Sequence, residues 1–246
     1  MAEGMAEWFI EIGRRLDIPL AELAVSRFSD YVRLLREWNG KVNLTAILDD
    51  EGIAVRHLLD SLTLLPWLAA CTPRDPAAGL TLIDVGTGAG FPGLPLKIVR
   101  PDLQVLLLDS LAKRVKFLDQ VITDLRLENI STLHGRAEEA ARQPGLRDHF
   151  DIATARAVAS LPTLSEYCLP FVRVGGCFLA MKGQIASEWS EASKAIRILG
   201  GEIEEVRKFD LPGTDMKRTI IKICKVRPTP PAYPRKAGKP EKQPLL

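Results

Sequence analysis

The chain has 246 residues, of which 46% are hydrophobic and 26% charged, and its formal net charge is +2. This length fits one large domain with a small addition, and this composition excludes a disordered chain. The first dozen residues lack the basic and apolar segments of a signal peptide, and no apolar run reaches the roughly 18 residues of a membrane-spanning helix. We therefore expect a cytoplasmic protein that does not enter a membrane.

Three regions are predicted along the chain: a helical cap over residues 1–72, a nucleotide-binding domain over 73–226 and a basic, proline-rich tail over 227–246. In the cap, apolar residues recur at three- and four-residue steps from Leu20 to Trp38, which predicts an amphipathic helix. A second helix is predicted from about Asp50, where acidic residues favour a helix N-terminus, to about Pro66.

The middle region alternates short apolar runs with helical patterns, which predicts an α/β fold with helices on both faces of a parallel sheet. Seven strands are expected: Leu80–Asp84, Gln104–Asp109, Ser131–His134, Asp151–Ala155, Cys177–Lys182, Glu202–Phe209 and Arg218–Lys225. After a helix from about Ile185 to Leu199, the last two strands are close enough to pair as an antiparallel edge hairpin. Such a mainly parallel sheet with one antiparallel edge strand is typical of class I (Rossmann-like) methyltransferases, whereas a dehydrogenase sheet usually ends after six parallel strands.

The positive charge is concentrated at the end of the chain. Residues 225–246 contain six Lys or Arg residues and one Glu, a net charge of +5, so the rest of the chain carries −3. Six prolines in this segment predict an extended, solvated arm. A basic arm on an acidic body either holds a polyanion such as RNA or only solubilises the chain end, and the charge pattern leaves both readings open.

The strongest motif is a glycine-rich turn that follows Asp84 at the end of the first strand. Gly86, Gly88 and Gly90 form a GxGxG pattern, and the missing side chains let the backbone approach a ligand closely. Gly88 and Gly90 also begin a GxGxxG pattern that ends at Gly93, so the turn by itself predicts either S-adenosylmethionine (SAM) or NAD.

Acidic residues after the next two strands also fit a nucleotide cofactor. Asp109 lies 19 residues after Gly90, the offset at which a carboxylate accepts hydrogen bonds from a ribose diol. Glu138 follows the methyltransferase pattern of an acidic or amide residue beside the adenine, although taken singly it would equally cap a helix that begins at Glu139. Taken together and in this order along the chain, the glycine turn, Asp109 and Glu138 favour SAM over NAD.

These motifs resemble the bacterial 16S ribosomal RNA guanine-N7 methyltransferase family, also called glucose-inhibited division protein B. The resemblance covers nearly the whole chain and is carried by the segments Trp38–Thr45, Arg56–Leu62, Asp84–Lys97, Leu108–Arg114, Arg136–Glu138, Ala155–Ala157, Lys182–Gly183 and Tyr233–Pro240. It implies an enzyme that uses SAM to methylate N7 of a guanine in the 530 loop of 16S ribosomal RNA. The implied partner is 16S ribosomal RNA or the small ribosomal subunit.

The resemblance also implies roles for individual residues. The implied cofactor-binding residues are Gly86, Gly88, Gly90 and Phe91 in the turn, Asp109 and Ser110 at the ribose, Ala137 and Glu138 at the adenine, and Arg156 at the end of the fourth strand. Arg156 would equally form a structural salt bridge. The predicted substrate-binding residues are Arg56, His57, Asp60, Lys182, Arg235 and Lys236. Of these, His57 is equally compatible with a hydrogen-bonded packing position.

The implied chemistry needs no proton transfer, because guanine N7 carries an in-plane lone pair and no proton. We therefore predict no catalytic acid or base, and the scattered cysteines and histidines predict no metal. A monomer is expected. The alternatives are an NAD-dependent oxidoreductase, which the GxGxxG pattern favours, a non-catalytic RNA-binding protein of ribosome assembly, and a small-molecule methyltransferase.

Overall fold

The computed structural model describes residues 3–18, 20–156, 159–184 and 188–245. The cap begins with α1 (Glu3–Leu16) and α2 (Glu22–Val42). It continues through α3 (Asp50–Gly52), a π-helical segment (Ile53–Leu59), α4 (Asp60–Leu62) and α5 (Leu65–Ala69). The predicted amphipathic helix is confirmed as α2, and the predicted second helix contains a π-helical stretch that the sequence pattern did not show.

Seven strands form one sheet: β1 (Thr81–Val85), β2 (Gln104–Asp109), β3 (Ile130–His134), β4 (Phe150–Arg156), β5 (Val172–Lys182), β6 (Gly201–Asp210) and β7 (Lys217–Lys225). Their order is β3-β2-β1-β4-β5-β7-β6, and β7 runs antiparallel to both of its neighbours. The predicted mainly parallel sheet with a reversed strand in its edge hairpin is confirmed. Within that hairpin, β7 lies on the inner side and β6 forms the edge of the sheet.

Helices cover both faces of the sheet. They are α6 (Gly93–Val99), α7 (Ala112–Asp124), α8 (Ala137–Ala140), α9 (Leu161–Cys168), a 3-10 turn (Leu169–Phe171) and α10 (Glu188–Ile198). Residues 185–187, where the helix before β6 was predicted to begin, lie outside the described residues. One apolar cluster joins the cap to the face covered by α6 and α7, and a second cluster lies under α9 and α10 on the opposite face. The cap therefore shares a core with the sheet.

The strand order reverses beside β1, which places a crevice at the carboxyl ends of the parallel strands. β2 and β3 lie on one side of β1, and β4 and β5 lie on the other. In open α/β sheets ligands bind at such a reversal, outside the carboxyl ends of the strands. The residues after β1, β2, β3 and β4 are therefore the ones to examine for a site.

The basic tail departs from the extended, solvated arm expected from its composition. Thr229 is buried, and the segment ends in a short helix, α11 (Lys239–Lys242). Arg147 donates from Nη2 to the carbonyl oxygen of Thr229 at 2.7 Å and from Nη1 to that of Tyr233 at 3.0 Å. Proline has no N–H, so a proline-rich segment has few backbone donors for its own carbonyls, and here a donor elsewhere in the chain satisfies two of them. The prediction of a solvated arm is therefore wrong. The sequence pattern could not show these contacts because the donor is distant in sequence.

No helix within the described parts of the chain is long and apolar enough to cross a membrane. The same parts of the chain hold no group of three or more His, Cys, Asp or Glu side chains that could bind a metal ion.

Candidate cofactor and RNA site

The glycines after β1 adopt left-handed backbone conformations, with φ of 71° at Gly86, 63° at Gly88 and 101° at Gly90. A Cβ atom added at Gly88 would meet no atom within 4 Å, so the turn faces open space there. A Cβ atom at Gly90 would lie 2.3 Å from Cδ1 of Leu94. Gly88 therefore leaves room for a ligand, whereas Gly90 allows the turn to pack against the helix that follows.

A tyrosine of the cap supports this turn from beneath. Tyr31 in α2 is fully buried, and its hydroxyl donates to the carbonyl oxygen of Ala89 at 2.5 Å. Burial raises the pKa of Tyr31 well above its usual value, so the hydroxyl stays protonated and remains a donor. Tyr31 lies within the predicted amphipathic helix, and its contact with the turn depends on the tertiary packing of α2.

Asp84 lies fully buried below the turn. Its Oδ2 accepts hydrogen bonds from Thr87 Oγ1 at 2.6 Å and from the backbone N–H of Gly93 at 2.8 Å. Its Oδ1 has no hydrogen-bond partner among the described residues. Burial raises the pKa of Asp84 to about 6, although the two hydrogen bonds act in the opposite direction. Leaving a buried oxygen without a hydrogen-bond partner is costly in free energy, and nothing in the sequence pattern around Asp84 indicated it.

Asp109 at the end of β2 lies next to the glycine turn, as the spacing predicted. Its Oδ2 accepts a hydrogen bond from the backbone N–H of Gly88 at 2.9 Å, and its Oδ1 accepts one from that of Leu111 at 2.9 Å. Arg114 lies 3.5 Å from Oδ2. An ionised carboxylate has about four acceptor positions, so capacity remains for further donors. Ser110 follows immediately and is exposed.

Ala137 and Glu138 begin α8, directly after β3. Ala137 is half-buried, whereas Glu138 is buried. Glu138 Oε1 accepts a hydrogen bond from the backbone N–H of Gly238 in the tail at 2.7 Å. The strand order brings these residues to the same edge of the sheet as Asp109, while the contact with the tail spans 100 residues of sequence.

Phe91 and Arg156, both predicted in the cofactor pocket, lie at the junction between the cap and the sheet. The Phe91 ring stacks on His57 with centroids 4.4 Å apart, and the Arg156 guanidinium carbon lies 5.0 Å from the Phe91 centroid. Arg156 also donates to the carbonyl oxygen of Arg56 at 3.0 Å. Arg156 thus has the structural role that the sequence analysis left open, and its contact with a cofactor stays a prediction.

His57 and Asp60, both predicted to bind the substrate, lie buried in this junction, and their contact with RNA stays a prediction. His57 is 8% exposed and Asp60 is 5% exposed. Asp60 Oδ2 lies 3.4 Å from Arg156 Nη1, and Asp60 Oδ1 accepts a hydrogen bond from Arg218 Nε at 2.8 Å. A π-helical segment covers Ile53–Leu59, so the side chains that share a face differ from those of the regular α-helix predicted there. Arg56 remains exposed.

The histidine in this junction is neutral near physiological pH. Burial, followed by the charge of Arg156, lowers the pKa of His57 to about 4. Arg156 Nη2 lies 3.2 Å from His57 Nδ1, which must therefore accept, because a guanidinium has only donors. The remaining proton is then on Nε2, which lies 2.8 Å from Thr45 Oγ1 and donates to it.

The remaining predicted substrate residues differ in their surroundings. Lys182 at the end of β5 is half-buried and donates from Nζ to the carbonyl oxygen of Ala159 at 2.7 Å. Arg235 forms an ion pair with the fully buried Glu166, with Nη2 2.6 Å from Oε2. The Arg235 guanidinium therefore anchors the tail, and its contact with RNA stays a prediction. Lys236 is exposed, and its contact with RNA stays a prediction.

Comparison with known proteins places these features in a family. The GidB family model, described as rRNA small subunit methyltransferase G, matches residues 24–219. The chain is 53% identical to ribosomal RNA small subunit methyltransferase G of Acetivibrio thermocellus, over 96% of this chain and 95% of that protein. It is 50% identical to the protein of the same name from Geobacillus kaustophilus, over 93% of this chain and 94% of that protein.

Solved structures resemble the chain in fold. A putative methyltransferase of Bacillus halodurans superposes with a TM-score of 0.52 at 15% identity, over 68% of this chain and 99% of that one. Geranyl diphosphate methyltransferase in complex with SAM superposes with a TM-score of 0.54 at 14% identity, over 68% of this chain and 86% of that one. At these identities the likeness shows the fold alone, and it confirms the predicted class I methyltransferase fold. Because both the family model and the curated relatives cover most of its length, the chain belongs to the GidB family, the rRNA small subunit methyltransferases G.

Proposed function

We propose that this protein transfers the methyl group of SAM to N7 of a guanine in the 530 loop of 16S ribosomal RNA. The observation that carries the proposal is the hydrogen bond from the Gly88 N–H to the Asp109 carboxylate, which joins the open glycine turn to the end of β2, in a chain of this family. We further propose that it acts in the cytoplasm on 16S ribosomal RNA or the small subunit.

The described residues fit SAM at three separate points. Asp109 has acceptor capacity left for the two ribose hydroxyls. Ala137 and Glu138 would contact the adenine after β3. The left-handed turn at Gly88 would let the backbone approach the cofactor without a side chain between them.

The proposed reaction requires the protein to align the two reactants and does not require a proton transfer. When bound, SAM supplies an electrophilic methyl group on a positively charged sulfur. Guanine N7 has a lone pair and no proton to lose, so no residue needs to act as a base. Holding two reactants in the reactive geometry accounts for roughly 7 to 11 kcal/mol of the barrier in favourable cases. Tyr31 supports this alignment by fixing the carbonyl of Ala89 in the cofactor turn.

Family membership favours methyl transfer over the NAD-dependent oxidoreductase that the GxGxxG pattern left open. The non-catalytic RNA-binding alternative predicts a degenerate cofactor pocket, whereas here Gly88 and Asp109 make a direct hydrogen bond. A small-molecule substrate would be accepted without ribosomal RNA.

The first experiment measures transfer of labelled methyl from SAM to 16S ribosomal RNA, and to small subunits, from cells that lack this protein. Mass spectrometry of the nucleosides should place the label in 7-methylguanosine at one position. Asp109→Asn, which keeps the shape of the side chain but removes its charge, should weaken SAM binding about tenfold or more. Asp102→Asn, at an exposed turn, is the matched control. Measurable SAM binding with no labelled RNA would overturn the substrate, and an absence of SAM binding would overturn the cofactor.

A further inference from the structure

The tail is joined to the catalytic domain through a buried ion pair. Glu166 in α9 is fully buried, and Arg235 contacts both of its carboxylate oxygens, with Nε 2.9 Å from Oε1 and Nη2 2.6 Å from Oε2. The backbone N–H of Arg235 also donates to Oε1 at 2.7 Å. Three donors from one residue fix both the side chain and the backbone of the tail at this point.

Three residues further on, the tail reaches the predicted adenine side of the pocket. The backbone N–H of Gly238 donates to Oε1 of the buried Glu138 at 2.7 Å. Gly238 adopts a left-handed conformation with φ of 77°, which sets the chain direction just before α11. In α11, the carbonyl oxygen of Pro240 accepts a hydrogen bond from Thr163 Oγ1 at 3.1 Å. The tail therefore bridges α9 and α8, and its contact with α8 is the hydrogen bond to Glu138.

We propose that the C-terminal tail is a strap that fixes the Glu138 carboxylate, and with it the adenine end of the cofactor pocket, and that Arg235 is its positioning residue. The proposal rests on the adenine-facing role of Glu138 in the proposed function. A glutamate side chain has three rotatable bonds, so an unstrapped Glu138 would sample other orientations and bind the adenine less well. Arg235 acts through Gly238 and Glu138 and does not itself reach the cofactor.

The test compares two tail variants that remove the same charge. Arg235→Ala breaks the ion pair with Glu166, whereas Lys239→Ala removes an exposed cation of the same tail. We expect Arg235→Ala to raise the Kd for SAM, measured by calorimetry without RNA, roughly threefold to tenfold. At saturating SAM the kcat and the KM for RNA should be unchanged. Lys239→Ala should leave the Kd for SAM unchanged, and Arg235→Lys should restore part of the affinity.

Coupling to Glu138 separates positioning from general loosening of the fold. In a Glu138→Gln background, the effect of Arg235→Ala on the Kd for SAM should largely disappear, because both changes act on one contact. Hydrogen exchange without SAM supplies a readout that needs neither cofactor nor substrate: Arg235→Ala should speed exchange over residues 137–140. If Arg235→Ala does not fold, Glu166→Gln weakens the same ion pair and keeps the volume of the side chain.

Two results would overturn the strap. One is an unchanged Kd for SAM together with unchanged exchange over residues 137–140. The other is an equal rise in the KM for RNA in Arg235→Ala and Lys239→Ala, which would make the tail an RNA-binding arm. An error in the RNA substrate alone would leave the SAM and exchange measurements intact, so the strap and the proposed function fail separately.

Discussion

We compare two regions, the cap junction (His57, Asp60, Phe91 and Arg156) and the tail junction (Arg147, Glu166 and Arg235). Both contain residues that were predicted from the sequence to bind RNA, and they hold the chain together in different ways. At the cap junction the partners are buried side chains, above all Asp60 and Arg156. At the tail junction Arg147 donates to several backbone carbonyls, and Arg235 forms one ion pair with Glu166. The Arg235–Glu166 pair is as buried as the Asp60–Arg156 pair, so the difference lies in the hydrogen bonds of Arg147, which are spread along a backbone and can be lost one by one.

The largest expected effect is at the cap junction. Arg156→Met leaves Asp60 with Arg218 as its remaining arginine partner and removes the cation above Phe91. Removing one member of a buried ion pair costs about 3–5 kcal/mol when it leaves the other charge uncompensated. Because Asp60 keeps its 2.8 Å contact with Arg218, we expect the free energy of unfolding in urea to fall by no more than the lower end of that range, about 3 kcal/mol. Arg33→Met, at an exposed helix position, should change it by less than about 1 kcal/mol. Equal small losses in both variants would show that the cap junction does not hold the fold together.

The same junction predicts an acid-sensitive stability. The folded state keeps His57 neutral down to a pKa of about 4, whereas the unfolded chain binds a proton near 6.5. The contribution of His57 to the free energy of unfolding is therefore fully present above pH 6.5 and is lost as the pH falls to about 4. At about 1.4 kcal/mol per pKa unit, this loss amounts to about 3 kcal/mol. In His57→Gln this loss should be absent.

Asp84 acts in the opposite direction over an overlapping range, because its folded-state pKa is raised from 3.8 to about 6. The contribution of Asp84 to the free energy of unfolding is fully present below pH 3.8 and is lost as the pH rises through about 6. The informative quantity is therefore the difference in unfolding free energy between wild type and His57→Gln at each pH. A difference that stays constant from pH 7 to pH 4 would contradict a neutral, buried His57.

At the tail junction we expect a smaller and more local effect. Arg147→Met removes the hydrogen bonds to the carbonyl oxygens of Thr229 and Tyr233. Leaving such groups without partners costs about 1–3 kcal/mol, and the tail can respond by detaching. Limited proteolysis should therefore cut residues 227–245 faster, while the urea midpoint of the domain changes less than in Arg156→Met. A global loss as large as that of Arg156→Met would erase the contrast between the junctions.

The smallest expected effect concerns the exposed part of the tail. Lys236→Ala removes a solvent-exposed charge and should change the free energy of unfolding by less than about 0.5 kcal/mol. If Lys236 contacts a phosphate, the slope of log affinity for RNA against log salt should become shallower by about 1. Filter binding at several salt concentrations measures this slope. An unchanged slope would contradict the prediction that Lys236 contacts an RNA phosphate.

The sequence pattern predicted the central strands better than the segments around glycines. β2 was predicted with its observed bounds, Gln104–Asp109. β5 begins at Val172, five residues before the predicted start, and two glycines, Gly175 and Gly176, directly precede that predicted start. One of them, Gly176, is where the strands approach closely, since a Cβ atom there would lie 2.5 Å from the carbonyl oxygen of Asp151. Gly176 is thus a packing requirement within the strand.

Site residues were predictable where sequence spacing sets geometry. Gly88 and Asp109 follow neighbouring parallel strands, so their contact follows from strand order. Asp60 and Arg156 are 96 residues apart, and nothing in either local segment indicates their contact. The buried Oδ1 of Asp84 was likewise invisible, because burial and missing partners are properties of the folded chain.

The sequence alone determined the parallel sheet, the glycine turn and its acidic partner, because hydrophobic periodicity, strand order and glycine conformation are local or nearly local properties. Tertiary structure decided which charges face solvent. His57, Asp60 and Arg235 are polar residues in segments typical of RNA-binding surfaces, yet each is directed inward by a partner more than 60 residues away. A buried charge is tolerated only when such a partner is present, and the partner is known only once the chain has folded.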